Sequence, residues 1–164
     1  MSSTKSQKII PHLWYTSEAE EAARFYASIF PDSSVDRVTA LPTDSPSGPA
    51  GSVKVVEFRL FGQAFMAITA GKHHDFNDAV SFLVDCDSQA EIDRYWDAIL
   101  KNGGKAVACG WINDKFGLRW QIHPRVLGEM ITSSDKTKAA RVAKEMMNQV
   151  KFDIAKLEAA FNGK

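Results

Sequence analysis

Three absences narrow the field before any motif is read. No apolar run approaches the ~20 residues that a membrane-spanning helix needs, so no membrane partner is expected. Cysteine occurs only twice, as Cys86 and Cys109, without a CxxC pair. That is too little for a disulfide scaffold and fits buried thiols in a cytoplasmic protein. Neither sign of charge prevails: 20 Lys and Arg balance 20 Asp and Glu, which leaves no field to gather nucleic acid or anionic lipid. The opening "MSSTKSQKIIP" is basic but has no apolar stretch after it, unlike a secretory signal.

What is present is a core-forming mixture, 45% hydrophobic over 164 residues. The chain also echoes itself. Residues 17–30 read "SEAEEAARFYASIF" and residues 88–100 read "SQAEIDRYWDAIL". Both open Ser-x-Ala-Glu, a capping box in which the serine accepts from orphan amides and the glutamate reaches back. Ala19, Ala22, Ala23, Tyr26, Ile29 and Phe30 form one helical stripe, and Ile92, Tyr95, Trp96, Ile99 and Leu100 form the other. Each stripe suits a helix lying on a sheet.

The flanks repeat too. "IIPHLWYT" and "AVSFLVDC" precede the two helices as short buried-strand candidates. Three strand candidates follow the first helix: "SSVDRVTAL", "SVKVVEFRL" and "AFMAIT", the last two joined by the tight turn "FGQ". "GG" at 103–104 ends the second helix, and "KAVACGWIN" and "FGLRWQIHP" follow, with one strand of this half short or merged. "LPTDSPSGPAG" (41–51) reads as a mobile surface loop. Each half is strand–helix–strands. The expected fold is α+β: two tandem βαβββ modules, 8–71 and 78–133, forming one domain (8–133). A helical extension, 134–164, follows. There Asp135 and Asp153 are plausible caps, and Ala139, Val142, Ala143, Met146 and Met147 make an apolar stripe.

The stretch "KFGLRWQIHP" (115–124) poses the functional question. Strand alternation puts Leu118, Trp120 and Ile122 on a core face and Arg119, Gln121 and His123 on the other. That second face looks either at bulk water or into a cleft.

These motifs resemble the vicinal oxygen chelate superfamily, the glyoxalase/bleomycin-resistance/dioxygenase fold. More narrowly they resemble its PhnB-like branch, often labelled 3-demethylubiquinone-9 3-methyltransferase. "PHLWY", "AEEAARFYASIFPDS", "AGSVKVVEFRLFGQAF", "AVSFLVDC", "CGWINDKFGLRWQIHP", "AARVAKEMMNQV" and "DIAKLEAAF" carry the likeness over residues 8–162. The resemblance implies a sheet curled into a cup with helices outside, and Arg119 and Gln121 lining the cleft. It also implies a homodimer, with the C-terminal helices as extra interface or as caps on a sheet edge.

Metal-using members hold a divalent ion with His and Glu from both modules. By that resemblance the final-strand carboxylate falls at Gln121, a histidine position falls near Val80 or Ser81, a third falls among Ala67 and Thr69, and His12 lies near the fourth. One histidine and an amide do not make a standard centre, so no constitutive metal is expected, although a divalent ion on unusual ligands stays open. His73 matches the family pattern at the inter-module loop and is a candidate for ligand contact; His74 stands where an aromatic is more usual, Asp75 follows it, and His123 reads as a surface residue. Cys109 opens a family signature with Gly110 and Trp111 and reads as a structural thiol. No glycine-rich strand-to-helix turn for S-adenosylmethionine is present, since "CGW" and "FGL" read as strand residues.

Three readings follow. The first is a module that binds a small, partly aromatic or amphipathic molecule through His12, Trp14, Thr69, His73, Phe76, Ser81, Cys109, Trp111, Arg119 and Gln121. The second is a divalent-metal-dependent lyase, isomerase or dioxygenase. The third is a structural dimer with a vestigial cleft. A literal methyltransferase ranks below these, and no catalytic residue is assigned.

Overall fold

The computed structural model describes residues 7–164; the start of the basic opening stretch, residues 1–6, lies outside the described residues. The chain divides into two compact units, the first ending at Asp75 and the second beginning at Phe76.

The first unit runs β1 (His12–Tyr15), α1 (Ala19–Ile29), β2 (Ser34–Ala40), β3 (Lys54–Leu60) and β4 (Gln63–Thr69). Its sheet has the order β1-β4-β3-β2, with β1 parallel to β4 and the other pairs antiparallel. The expected stripe is the buried face of α1: Ala19, Ala22, Ala23, Tyr26, Ile29 and Phe30 are all in the core. Opposite it stand Leu13, Tyr15, Val56, Phe58, Leu60, Phe65 and Ala67, every second residue of their strands. Burying one such large side chain contributes about 1.5–3 kcal/mol, so this two-layer core is what fixes the register.

The "FGQ" turn is a two-residue hairpin loop with both central residues left-handed, Phe61 at φ 50° and Gly62 at φ 73°. An aromatic rarely accepts that conformation. Here the Phe61 ring lies 5.3 Å from that of Phe30, and its N–H donates to Ser33 Oγ at 3.1 Å. The 41–51 loop is organised by its own bonds, among them Leu41 N–H to the Val53 carbonyl and the Ser45–Gly48 bridge.

The capping box expected at Ser17 does not form. Glu18 takes the N-cap position, and its carboxylate accepts the Ser17 N–H at 2.8 Å, a bond that holds the Glu18 pKa below its ordinary value. The Ala19 N–H is met by Thr69 Oγ1 at 3.3 Å instead.

The second unit repeats the plan: β5 (Phe82–Cys86), α2 (Gln89–Lys101), β6 (Lys105–Ala106), β7 (Trp111–Asn113) and β8 (Arg119–Pro124), in the order β5-β8-β7-β6 with β5 parallel to β8. Here the serine caps as expected: Ser88 Oγ accepts from Glu91 N–H at 3.3 Å, and Glu91 reaches back one residue beyond the cap to accept from Asp87 N–H at 2.7 Å. Ile92, Tyr95, Trp96 and Ile99 are buried as expected; Leu100, in the last turn, is 37% exposed. "KAVACGWIN" is not one strand. Cys109 at φ 51° and Gly110 at φ 78° turn the chain between β6 and β7, and Gly117 lies in the bend before β8. "CGW" and "FGL" are thus turns feeding strands.

Helices α3 (Arg125–Ile131), α4 (Lys136–Asn148) and α5 (Ile154–Asn162) belong to this second unit. Asp135 and Asp153 are the expected caps, accepting from Thr137 and Lys138 and from Lys156 respectively. The apolar stripe of α4 is narrower than its sequence suggests: Ala139 and Val142 are buried, Ala143 and Met146 are half-buried and Met147 is exposed. The segment after α4 docks on its own unit. Gln149 and Val150 carbonyls accept from Cys109 and Gly110 N–H, both at 2.8 Å, and Gln89 bonds both Phe152 O and Ile154 N–H.

Candidate functional site

Each sheet has one face packed on its helix and one face turned from it, and register decides which side chains share the second. In the second unit Leu118, Trp120 and Ile122 are buried, so the core reading of that alternation holds. Arg119, Gln121 and His123 point the other way. Cross-strand pairing sets Asn113 beside Arg119, Trp111 and Leu83 beside Gln121, and Asp85 beside His123.

The turn before β8 positions this row. Asp114 is 5% exposed, and its carboxylate accepts from Phe116 N–H (2.9 Å), Leu118 N–H (2.9 Å) and Trp120 Nε1–H (3.0 Å). A buried carboxylate is tolerated because these donors take the place of water. The "WINDKFGLRW" run is therefore a rigid bracket for the strand that follows.

On the row itself, Gln121 Nε2 donates to Ser81 Oγ at 2.7 Å. Arg119 Nε donates to Asp78 Oδ1 at 2.7 Å, and its Nη1 donates to the Gly117 carbonyl. The Arg119 side chain is 19% exposed and that of Asp78 79%. Among the described residues Asn113 Oδ1 and His123 Nδ1 find no hydrogen-bond partner although both are buried, the latter lying 3.6 Å from Asp85 Oδ1. His123 is no free surface residue: its side chain is 24% exposed and its ring stands edge-on to Phe152. Asn113 and Asp78 were not anticipated. Asn113 lies inside the quoted "CGWINDKFG" run and alternates with Trp111, a signal that was there to read; Asp78, 41 residues from Arg119, left none.

In the first unit, His12 and Trp14 pair with Met66 and Ile68 on the face turned from α1. Trp14 Nε1 donates to the Lys72 carbonyl at 2.8 Å, and its ring meets His74 edge-on at 5.0 Å. His74, given little weight by the sequence, thus makes a ring contact with Trp14. His73 bridges Thr16 Oγ1 (3.2 Å) and Asp75 Oδ1 (2.6 Å) in the open. Thr69 stands apart: it pairs with Tyr15 on the helix side, with its hydroxyl bound at the start of α1. A groove of about 250 Å³ lies on this sheet, lined by Ile10, Asp36, Glu57, Arg59, Ala64 and Met66 among others. Its charges are mutually satisfied, Arg59 by Asp36 at 2.9 Å and Arg37 by Glu57 at 2.5 Å.

Cys109 is half-buried, its N–H held by Gln149. Cys86 is buried, and desolvation first, then the charges of Glu91, Asp85 and Asp87, push its thiol up to about 12. Phe76 is half-buried at the start of the second unit.

A divalent metal does not suit these donors. Gln121 offers only a neutral amide, whose Nε2 donates to Ser81, and among the described residues no three His, Cys, Asp or Glu side chains gather to hold an ion. Hard cations need charged oxygen ligands and borderline ones need imidazole or thiolate.

A family model of 3-demethylubiquinone-9 3-methyltransferase matches residues 7–123. Among solved structures, the PhnB protein of Bacillus cereus is 32% identical with a TM-score of 0.63, the match covering 72% of this chain and 99% of that one. A Pseudomonas aeruginosa protein at 23% identity (TM-score 0.54, 73% and 98% covered) and the fosfomycin resistance protein FosX of Mesorhizobium loti at 14% (TM-score 0.53, 83% and 98%) share the fold. No curated protein matches. The chain belongs to the 3-demethylubiquinone-9 3-methyltransferase family, in the PhnB-like branch of the vicinal oxygen chelate superfamily.

Proposed function

We propose that this chain binds a small, partly apolar molecule on the helix-free face of its second sheet, without the standard metal centre of its superfamily. One observation carries the reading: the Gln121 amide donates to the Ser81 hydroxyl at 2.7 Å, with Trp111 as the cross-strand partner of Gln121 and Arg119 two residues before it on the same strand face. An aromatic wall supplies apolar area and a few fixed polar groups orient a guest. The amide in place of a carboxylate removes the charge that would hold a hard cation, so binding there does not require one.

The test is a thermal-shift screen of small molecules with and without Mn²⁺, Ni²⁺ and Zn²⁺. Stabilisation independent of metal supports the reading. Stabilisation only with metal overturns it in favour of a metal-dependent enzyme; a mutant of the fosfomycin resistance protein FosX of Listeria monocytogenes in which glutamine replaces a glutamate, similar in fold at a TM-score of 0.50, is known with Mn(II) and 1S,2S-dihydroxypropylphosphonic acid. Methyl transfer is not part of the proposal, because the strand-to-helix connections after β1 and β5 contain no glycine. Saturable binding of S-adenosylmethionine by calorimetry would count against that exclusion.

The assembly proposed with this reading is the homodimer that the family resemblance implies, checked by sedimentation at twice the chain mass. Among the described residues no helix is long and apolar enough to cross a membrane, and a cytoplasmic setting is proposed with it.

A further inference from the structure

Arg119 is the least ordinary member of the proposed site. A guanidinium carries five N–H donors in a rigid fork, yet the acceptors around this one, Asp78 Oδ1 and the Gly117 carbonyl, engage only Nε and Nη1. The pair is also lopsided. The Arg119 side chain is 19% exposed, whereas its carboxylate partner Asp78 is 79% exposed. Asp78 sits in a turn of the connecting stretch, pinned no more firmly than by the Asn77–Ala79 bond of 2.9 Å beside it. On β7, directly opposite Arg119, Asn113 Oδ1 is buried and meets no donor among the described residues.

The geometry points to a site for small hydroxy- or amino-carboxylates, in which Arg119 grips the ligand carboxylate, Asp78 is the built-in competitor that the ligand displaces, and Asn113 accepts the neighbouring O–H or N–H. This inference rests on the binding reading above and names its ligand class. The chemistry follows from what the fork already holds. Asp78 is a carboxylate delivered from the solvent side, so a free carboxylate arriving by that route replaces like with like and can use the unoccupied Nη2 as well, a bidentate contact. No net charge is moved into the site, because Asp78 leaves to water as the ligand enters. A ligand bearing only the anion would leave Asn113 unsatisfied, a penalty that a hydroxyl or amine removes. Trp111, one pair further along the row, gives an attached ring an apolar surface.

The experiment is isothermal calorimetry with sodium mandelate, phenylacetate and mandelamide on the full chain, its D78N variant and its R119Q variant, at low ionic strength. Mandelate is expected to bind wild type saturably. D78N should bind it about tenfold more tightly, because the competitor is gone, and R119Q about tenfold or more weakly. Phenylacetate, lacking the hydroxyl, should bind several-fold more weakly, and mandelamide, lacking the charge, should give no saturable heat. Should R119Q fail to fold by circular dichroism, D78N decides alone. An unchanged or weakened affinity in D78N, or equal binding of mandelamide, overturns the inference. If no carboxylate binds wild type or D78N while uncharged compounds still stabilise the protein in the thermal screen, the ligand class is wrong and the binding reading stands. If nothing stabilises it, both fall.

Discussion

Gly110 and Phe152 interlock: a Cβ built on Gly110 would stand 2.4 Å from Cε2 of Phe152 and 2.8 Å from the Ile122 carbonyl oxygen. Gly110 also has φ 78°, a conformation that side chains resist. Gly110→Ala combines overpacking with backbone strain and should destabilise the protein by about 2–4 kcal/mol in urea unfolding. A loss below about 0.5 kcal/mol, the size of an ordinary surface change, would mean that the post-α4 segment does not seat on this turn.

Asp114 gathers two backbone amides and the Trp120 indole on one buried carboxylate. Asp114→Asn keeps the size but turns an acceptor into a donor facing N–H groups, which should cost about 3 kcal/mol. Trp120→Phe removes the indole donor together with part of a buried ring, so its own cost combines the lost bond with a cavity. A double-mutant cycle on unfolding midpoints checks this: coupling near zero would show that the Trp120 bond contributes nothing beyond the backbone bracket.

The two thiols should separate cleanly under alkylation. Cys109 is half-buried and should react with iodoacetamide in the native protein, while buried Cys86 should wait for unfolding. The linkage has a definite sign. Cys86 is raised from 9.0 to about 12 in the fold, so above pH 9 the unfolded chain loses a proton that the folded one keeps. Stability then declines as pH climbs from 9 towards 12. Cys86→Ala should flatten that part of the stability–pH curve relative to wild type; an unchanged slope would place the alkaline loss elsewhere.

Gln89 ties the C-terminal segment to α2 with Nε2 shared between Asp93 and the Phe152 carbonyl and Oε1 on Ile154 N–H. Lys151 adds Asp93 at 2.8 Å and Asp97 at 3.5 Å. Gln89→Ala should loosen residues 149–154 before the rest of the unit, seen as faster amide exchange there and earlier proteolytic nicking. Uniformly faster exchange would instead make the segment inseparable from the core of its unit.

Much of the fold was legible because it depends on local periodicity. The stripe from Ala19 to Phe30 and the alternation through Trp120 and Ile122 are properties of neighbours in sequence, and burial follows them. The misreadings share a different cause. Ser17 fails as a cap because Thr69, 50 residues from Ala19, takes the Ala19 amide. β6 stops at Ala106 because the next residues turn to meet Gln149 and Val150. Within the candidate site the alternation of β8 was enough to place Arg119 and Gln121, and register did the same for Trp111. What gives the site its character, Asp78 on Arg119 and the unsatisfied Asn113, depends on contacts that no local pattern announces.

Each unit closes its own hydrogen-bonded ladder and supplies its own helix to shield it. The strand pairing and the helix packing that hold each sheet are therefore encoded within one contiguous stretch of sequence, so the register of either sheet is written without residues borrowed from the other half.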